Sequence, residues 1–410
     1  MGRINKLMCA LLITLCSGAA IAQNNTNSPY TRYGLGQLVD QSFSRSKAMG
    51  GTAYSLRDKA QINPLNPASY TAMDSLTFVF EGGLSFQNGN YSDGTTKLNA
   101  KNSSFDYLAL KFRLKKWMAM SAGVLPVSNV GYNLRETNTG YDNPEANNVI
   151  VRYGDGGLHQ VYIGMGFIPV KNLSVGFNMS YLWGTINNNT EIAYNDKTQK
   201  RRYKETSLKG IKLDFGAQYA YQFNENHGFI AGATFSPKMK LNNNIKTITD
   251  LNVVTVQKYE SSYESPSSFG LGLSYLWKKQ LTLAVDYTQQ NWDKVKIEDK
   301  ENTLLAYRKY AVGAEYVPDA YSRNYLKTIK YRVGFYYSNP YYKIDGKRAA
   351  KEYGLSAGLG LQIPKIRSSM NLSVQYIKVQ NSSSDLLKEN YFRINLGLIF
   401  NERWFVKQKI

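Results

Sequence analysis

At 410 residues the chain is long enough for two or three ordinary soluble domains or for one very large sheet. Tyr occurs 32 times and Pro only 11 times, a composition that suits strands joined by polar loops. The formal net charge of +20 invites nucleic acid as a partner, but the basic residues scatter over presumed loops such as 197–210 (KTQKRRYKETSLKG) and form no single stripe, and the export signal described next argues against it.

The chain opens with Arg3 and Lys6 ahead of an apolar run, LMCALLITLC, and then small residues lead to Ala20-Ile21-Ala22, an A-x-A-like cleavage site. A signal peptide over 1–22 is therefore expected, removed near Ala22. The charge then falls to +18, because Arg3 and Lys6 leave and the segment holds no Asp or Glu. Both cysteines, Cys9 and Cys16, leave with it, so disulfides and thiolate metal sites are excluded from the mature chain. Beyond residue 22 no apolar run approaches the roughly 18 residues that a spanning helix needs. A membrane location would then require a barrel.

Residues 23–73 carry Gly, Pro and Ser throughout and show no strand alternation. Their apolar content, including Tyr30, Tyr33, Leu35, Met49, Leu56 and Leu65, argues for packing against something rather than for disorder.

From residue 76 onward the pattern changes to strict alternation. In 173–183 the odd positions are Leu173, Val175, Phe177, Met179, Tyr181 and Trp183, against Ser174, Gly176, Asn178, Ser180 and Leu182. In 390–400 one face is Phe392, Ile394, Leu396, Leu398 and Phe400. Successive strand side chains point to opposite sides, so each such segment has one purely apolar face. The rule holds in 281–287 and 353–361, with small departures in 159–167, 213–221, 229–235, 271–277, 310–316, 331–337 and 372–376, and more loosely in 76–88, 104–114 and 117–126. Fourteen strands result, an even number as a single-chain membrane barrel requires.

The connections decide between a soluble sandwich and a barrel. Segments 89–103, 127–156, 185–206, 238–267, 288–303, 338–351 and 378–389 are long and polar, whereas 115–116, 168–171, 223–227, 278–280 and 363–367 are tight turns, with 317–325 the one lengthy exception. Long loops at one end and short turns at the other describe an up-and-down outer-membrane barrel, which a Greek-key sandwich has no reason to imitate. Strand ends carry aromatic pairs, Tyr181 with Trp183, Tyr219 with Tyr221, Tyr275 with Trp277, Tyr287 with Trp292 and Tyr336 with Tyr337, as rings at headgroup level would. The fold expected is all-β, a fourteen-stranded antiparallel transmembrane barrel over 74–400, followed by a basic periplasmic tail at 401–410. A lumen of fourteen strands is too wide for its own side chains to fill, which gives residues 23–73 a place as a hatch.

No catalytic constellation stands out. His159, at the start of a strand, and His227, in a turn, are the only histidines, and nothing places carboxylates beside them for zinc. Gly270 with Gly272 and Gly358 with Gly360 are lumen-facing strand positions, not phosphate loops. The chain is read as a non-enzyme without cofactor or metal. Pro126, in AGVLPVSNVGY, cannot donate to a ladder and marks either a strand's end or a break in the barrel wall.

The stretch SRSKAMGGTAYSLRDKAQINPLNPASY, with Gly50-Gly51-Thr52-Ala53 and then Asn66-Pro67-Ala68 ahead of the first strand, resembles the amino-terminal hatch of FadL-type outer-membrane transporters of long-chain fatty acids and other hydrophobic compounds. The opening SPYTRYGLG is similar to the version found in the Bacteroidota. The resemblance implies a location in the bacterial outer membrane and passage of a hydrophobic small molecule past a hatch that includes Gly50, Gly51, Asn66, Pro67 and Ala68. It also implies lateral exit near a kinked third strand, where Pro126 lies. The same shell suits a fixed, non-transporting subunit of an outer-membrane secretion, assembly or uptake complex, and sequence does not separate the two. Outer-membrane lipid and lipopolysaccharide are the partners to which the scattered positive charge points.

Overall fold

A computed structural model describes residues 26–138, 148–194, 199–250, 253–344, 347–348, 350–364, 367–381 and 386–403. The expected signal peptide over 1–22 lies outside the described residues, as does the expected tail from 404 onward.

Fourteen antiparallel strands close into a barrel: β1 (Thr77–Ser92), β2 (Lys97–Lys115), β3 (Met118–Asn138), β4 (Asn148–Val170), β5 (Leu173–Tyr194), β6 (Gln199–Gln222), β7 (His227–Ser236), β8 (Ser268–Trp277), β9 (Leu281–Gln290), β10 (Tyr307–Tyr316), β11 (Lys330–Asn339), β12 (Ala350–Gln362), β13 (Ser369–Asn381) and β14 (Lys388–Arg403). Each pairs with its neighbour in sequence, and β1 pairs with β14 from Thr77↔Arg403 to Ser92↔Lys388, which closes the sheet and removes the edges that a membrane would not tolerate. The chain stays in this last strand through Asn401–Arg403.

Parity sets the two faces. Val175, Phe177, Met179, Tyr181 and Trp183 of β5 and Leu271, Leu273, Tyr275 and Trp277 of β8 are exposed on the outside, while Ser174, Asn178, Ser180 and Ser274 are buried within. Such an apolar outer face suits lipid, making this an outer-membrane barrel. Near the long-loop end Phe269, Tyr287, Tyr310, Tyr337 and Tyr353 follow one another around the wall with ring centroids 5.0–6.3 Å apart. Two aromatics expected in such belts are not in them. Tyr336 points into the lumen, bonded to Glu352, and Trp292 lies in a 3-10 turn (Trp292–Lys294) packed against Tyr341.

Three of the expected long loops are largely β-structure. β3 and β4 stay paired out to Asn138↔Asn148, and β5 and β6 out to Ala193↔Gln199. Met239–Asp250 and Val254–Tyr259 form a further hairpin, the first of them pairing with β6. These extensions mix polar pairs such as Asn187↔Glu205 with scattered apolar residues such as Val130, Ile186 and Ile245, so they carry no clean alternation, yet strands already side by side extend their ladder with little further loop-closure cost. His227 accordingly starts β7, within reach of the Tyr275 hydroxyl at 2.5 Å, and His159 sits inside β4 beside Trp183.

At the long-loop end, chain between the strands folds back over the lumen. Trp292, Val295, Leu304, Tyr341 and Tyr263 pack with Leu35 and with inward-facing Val130, Leu158, Ile186, Leu208 and Ile245 into one apolar cluster. Residues of this buried kind exclude water, so the cluster acts as a cap.

Candidate functional site

Residues 26–73 run along the inward-facing wall and consist of short pieces: a 3-10 turn (Pro29–Arg32), a helix α1 (Ser44–Ala48) and a second 3-10 turn (Pro67–Thr71). Helices this short do not persist alone, so the segment takes its shape from what it touches. Wall glycines make the room. A Cβ on Gly334 would come within 2.1 Å of the Gly50 nitrogen, one on Gly270 within 2.3 Å of the Tyr54 ring, and one on Gly216 within 2.2 Å of the Asn66 side chain. Gly50 and Gly51 themselves hold φ of +69° and +83°, a region that costs other residues strain. Gly50 also lies against the carbonyls of Phe335 and Val312.

Asn66 begins the second 3-10 turn. Its side chain accepts from Ala68 N at 3.2 Å and donates to the carbonyls of Tyr54 (2.7 Å) and Ala217 (3.1 Å), with Pro67 at the first position of the turn, where its missing N–H costs nothing. Asn66, Pro67 and Ala68 thus seat the segment against β5 and β6. Of Gly50, Gly51, Asn66, Pro67 and Ala68, only Gly51 borders the chamber described below.

Buried charge clamps α1. Arg45 donates twice to Glu315 of β10 (2.6 and 3.1 Å), and Arg332 of β11 donates to the same carboxylate at 2.6 Å. Asp58 sits 3.5 Å from both Arg45 and Lys330. Burial would raise its carboxyl, but Lys330 and then Arg45 outweigh that and hold it well below the usual carboxylate range. Lys47 reaches Asp106 of β2 at 2.5 Å, both nearly inaccessible. Such pairs are costly to break singly, because the remaining partner is left charged and dry. Sequence reasoning did not pick out these residues as a set. Their signal was present as charges at lumen-facing parity, but which of them meet depends on registry and on the path of residues 26–73.

The wall is not uniformly laddered. β2 and β3 pair from Lys115↔Met118 to Leu108↔Val124 and then diverge, although both run on to Lys97 and Asn138. Pro126 lies just beyond the last pair. The strand does not end there, and its register with β4 slips between Pro126 and Ser128. The edge of β3 facing the opening is occupied by the N-terminal segment: Gln37–Leu38 pair with Asn129 and Ser128, Val39 N donates to Val127 O at 3.0 Å, and the Thr31 hydroxyl bonds both polar groups of Gly131. Asn27 reaches Asn102 on the β2 side at 3.3 Å. The Lys47–Asp106 pair stands at the foot of this wedge.

Between the inner segment and the cap lies a chamber of about 240 Å³. Its apolar lining includes Leu38, Val39, Val127, Leu158, Leu182 and Trp292, and its polar lining includes Asp286, Lys309, Glu352, Glu389 and Arg393. Its volume equals about eight waters at roughly 30 Å³ each, enough for one small organic molecule. Among the described residues no group of three His, Cys, Asp or Glu is placed to hold a metal.

A model of the family described as BamG matches residues 3–410. No curated protein matches the sequence. The fold is shared with solved outer-membrane structures: the Pseudomonas putida toluene transporter TodX (TM-score 0.61, 15% identity, 89% of this chain and 99% of that one), a Pseudomonas aeruginosa FadL homologue (0.58, 11%, 89% and 99%) and the Ralstonia pickettii toluene transporter TbuX (0.57, 15%, 89% and 99%).

Proposed function

We propose, taking as premise that the chain belongs to the BamG family, that it is an outer-membrane barrel which admits a hydrophobic small molecule to the lumen chamber and passes it through the opening between β2 and β3. The observation that carries this reading is that the chamber borders the opening. Leu38, Val39 and Val127 line the chamber and also form the contacts that fill the gap in the wall. Clefts that combine apolar walls with converging polar groups are where small ligands bind. In this reading residues 26–73 act as a hatch, Gly50 and Gly51 supply its tight bend, Asn66-Pro67-Ala68 its fixed foot, and Pro126 keeps the ladder from closing. The likeness to structures described as toluene transporters agrees with a hydrophobic cargo.

A second reading is favoured by a different observation. The apolar cap covers one end of the lumen and the ion pairs of Arg45 and Lys47 lock the inner segment, so passage demands that buried contacts break. A barrel that never opens would serve as a fixed subunit of a secretion, assembly or uptake complex. Purification from native outer membranes in mild detergent, with mass spectrometry of co-purifying lipids and proteins, separates the two. A monomer carrying an apolar molecule supports passage. Stoichiometric recovery with other envelope proteins and no small molecule overturns it in favour of the subunit.

A further inference from the structure

We propose that the chamber selects a hydrophobic ligand bearing a positively charged amine, and disfavours a carboxylate of the same size. This rests on the reading that the chamber holds a small molecule, and adds the sign of its charge.

The register places Ser338, Glu352, Val379, Glu389 and Tyr91 in one row across five neighbouring strands. Glu352 and Glu389 are therefore two strands apart, about 10 Å at ~4.8 Å per strand, and both line the chamber. Hydroxyls alone hold them. The Tyr336 hydroxyl donates to Glu352 at 2.6 Å, and Ser28 and Tyr391 donate to Glu389 at 2.7 and 2.6 Å. Neither carboxylate forms an ion pair among the described residues.

The remaining charge does not balance them. The chamber is lined by four carboxylates, Asp40, Asp286, Glu352 and Glu389, and by three cations, Lys212, Lys309 and Arg393. Lys212 is matched by Asp214 at 2.8 Å and Lys309 by Asp40 at 2.9 Å. Arg393 donates twice to the neutral Gln87 and keeps its charge, so the lining as a whole carries one carboxylate more than cations. Asp286 is held by the backbone nitrogens of Ala53 and Tyr54 through one oxygen only, and the other is buried without a hydrogen-bond partner. An anionic ligand would add another negative charge to this excess, whereas a cation relieves it.

The apolar part of the lining fits the same ligand. Tyr30, Tyr336, Tyr342 and Tyr391 border the chamber around the two glutamates, with Tyr30 and Tyr342 stacked at 5.6 Å. Tyr336 and Tyr391 turn their hydroxyls to the carboxylates, and aromatic rings clustered with carboxylates are a setting in which organic ammonium groups bind. The chain already uses one this way, since the Lys309 ammonium lies 4.7 Å from the centre of the Tyr336 ring.

The test uses the full mature chain in zwitterionic nanodiscs and three probes built on a phenyl ring and a four-carbon chain: phenylbutyltrimethylammonium, phenylbutanol and phenylbutyrate. Equilibrium dialysis against loaded discs, with empty discs subtracted, gives their affinities. The expected order is cation, neutral, anion, with the cation at least tenfold tighter than the alcohol. Glu352→Gln combined with Glu389→Gln brings that ratio close to one. If this variant does not fold, the three affinities of the unaltered chain decide alone. Binding of the alcohol without preference for the cation, or tighter binding of phenylbutyrate, overturns the charge assignment and leaves the chamber as a ligand site. Failure of all three to bind overturns the chamber reading and this inference with it.

Discussion

Asn66→Ala should free the foot of the inner segment while leaving the barrel intact. The side chain is fully buried and makes three hydrogen bonds, one capping Ala68 N and two donated to the carbonyls of Tyr54 and Ala217. Loss of an N-cap costs about 1 kcal/mol, and each buried carbonyl left without its donor costs about 1 kcal/mol more. The sum is about 3 kcal/mol, and at about 1.4 kcal/mol per decade the opening equilibrium of this stretch rises by roughly a hundredfold. Hydrogen exchange followed by mass spectrometry reads this directly, because local opening is reported peptide by peptide. Peptides spanning 62–73 should exchange about a hundredfold faster, and those of β9 to β12 should not change. Asn66→Asp separates the roles, since it keeps the cap acceptor but aims a carboxylate at two carbonyls, and should exchange at least as fast as the alanine variant. Unchanged protection of 62–73 would refute the claim that Asn66 seats the segment. Equal acceleration in the strands would refute the claim that the segment opens independently of the wall.

Two further outcomes follow from the clamp around α1. Glu315→Ala leaves Arg45 and Arg332 buried without their shared carboxylate and should lower stability by about 3–5 kcal/mol, seen as a lower urea midpoint of the heat-modifiable band, whereas an unaltered midpoint would mean the pairs are solvated. Asp58 has a depressed folded-state value, so its contribution is present above its unfolded value near ~3.9 and is lost only as pH falls through the lower folded one. Exchange protection at Ala60, whose N–H donates to Asp58 at 2.8 Å, corrected for intrinsic rates, should therefore stay flat from about pH 8 to pH 4, and a transition at that amide between pH 7 and 5 would contradict the assignment.

Each of the fourteen stretches that alternate in the sequence lies almost wholly within an observed strand, because lipid on one side and lumen on the other impose a period of two that single residues display. The apolar content of the N-terminal segment gave it a reason to pack, and its Tyr30, Leu35, Met49 and Leu56 are buried. What alternation reports poorly is a ladder whose faces mix polar and apolar residues, and so the outer parts of β3 to β6 read as loops. Nor does it report registry. Glu315, Arg332 and Asp106 stand out as charges on an inward face, but that Arg45 joins the first two and Lys47 the third depends on where α1 lies. Tyr336 and Trp292 were misplaced for a related reason. A ring near a strand end suits headgroup level and a lumen cluster equally well, and only the carboxylate beside Tyr336 and the stack of Tyr341 on Trp292 distinguish them. Pro126 lies just past the last β2–β3 pair, and β3 continues through it because the N-terminal segment supplies the bonds that β2 does not.

The hydrogen bonds that hold residues 28–47 span almost the whole chain. Ser28 reaches Glu389 across 361 positions, and Ser44 and Lys47 meet Asn371 and Gln375 across 327 and 328. Contacts so distant in sequence form slowly, since the intervening chain must be ordered before any of them gains free energy. The N-terminal segment therefore completes its contacts only when the last strands are in place. Its contacts with β2 and β3 are available earlier, but those with β13 and β14 wait until the seam with β1 shuts, so an unfinished barrel holds its N-terminal segment by only part of its bonds.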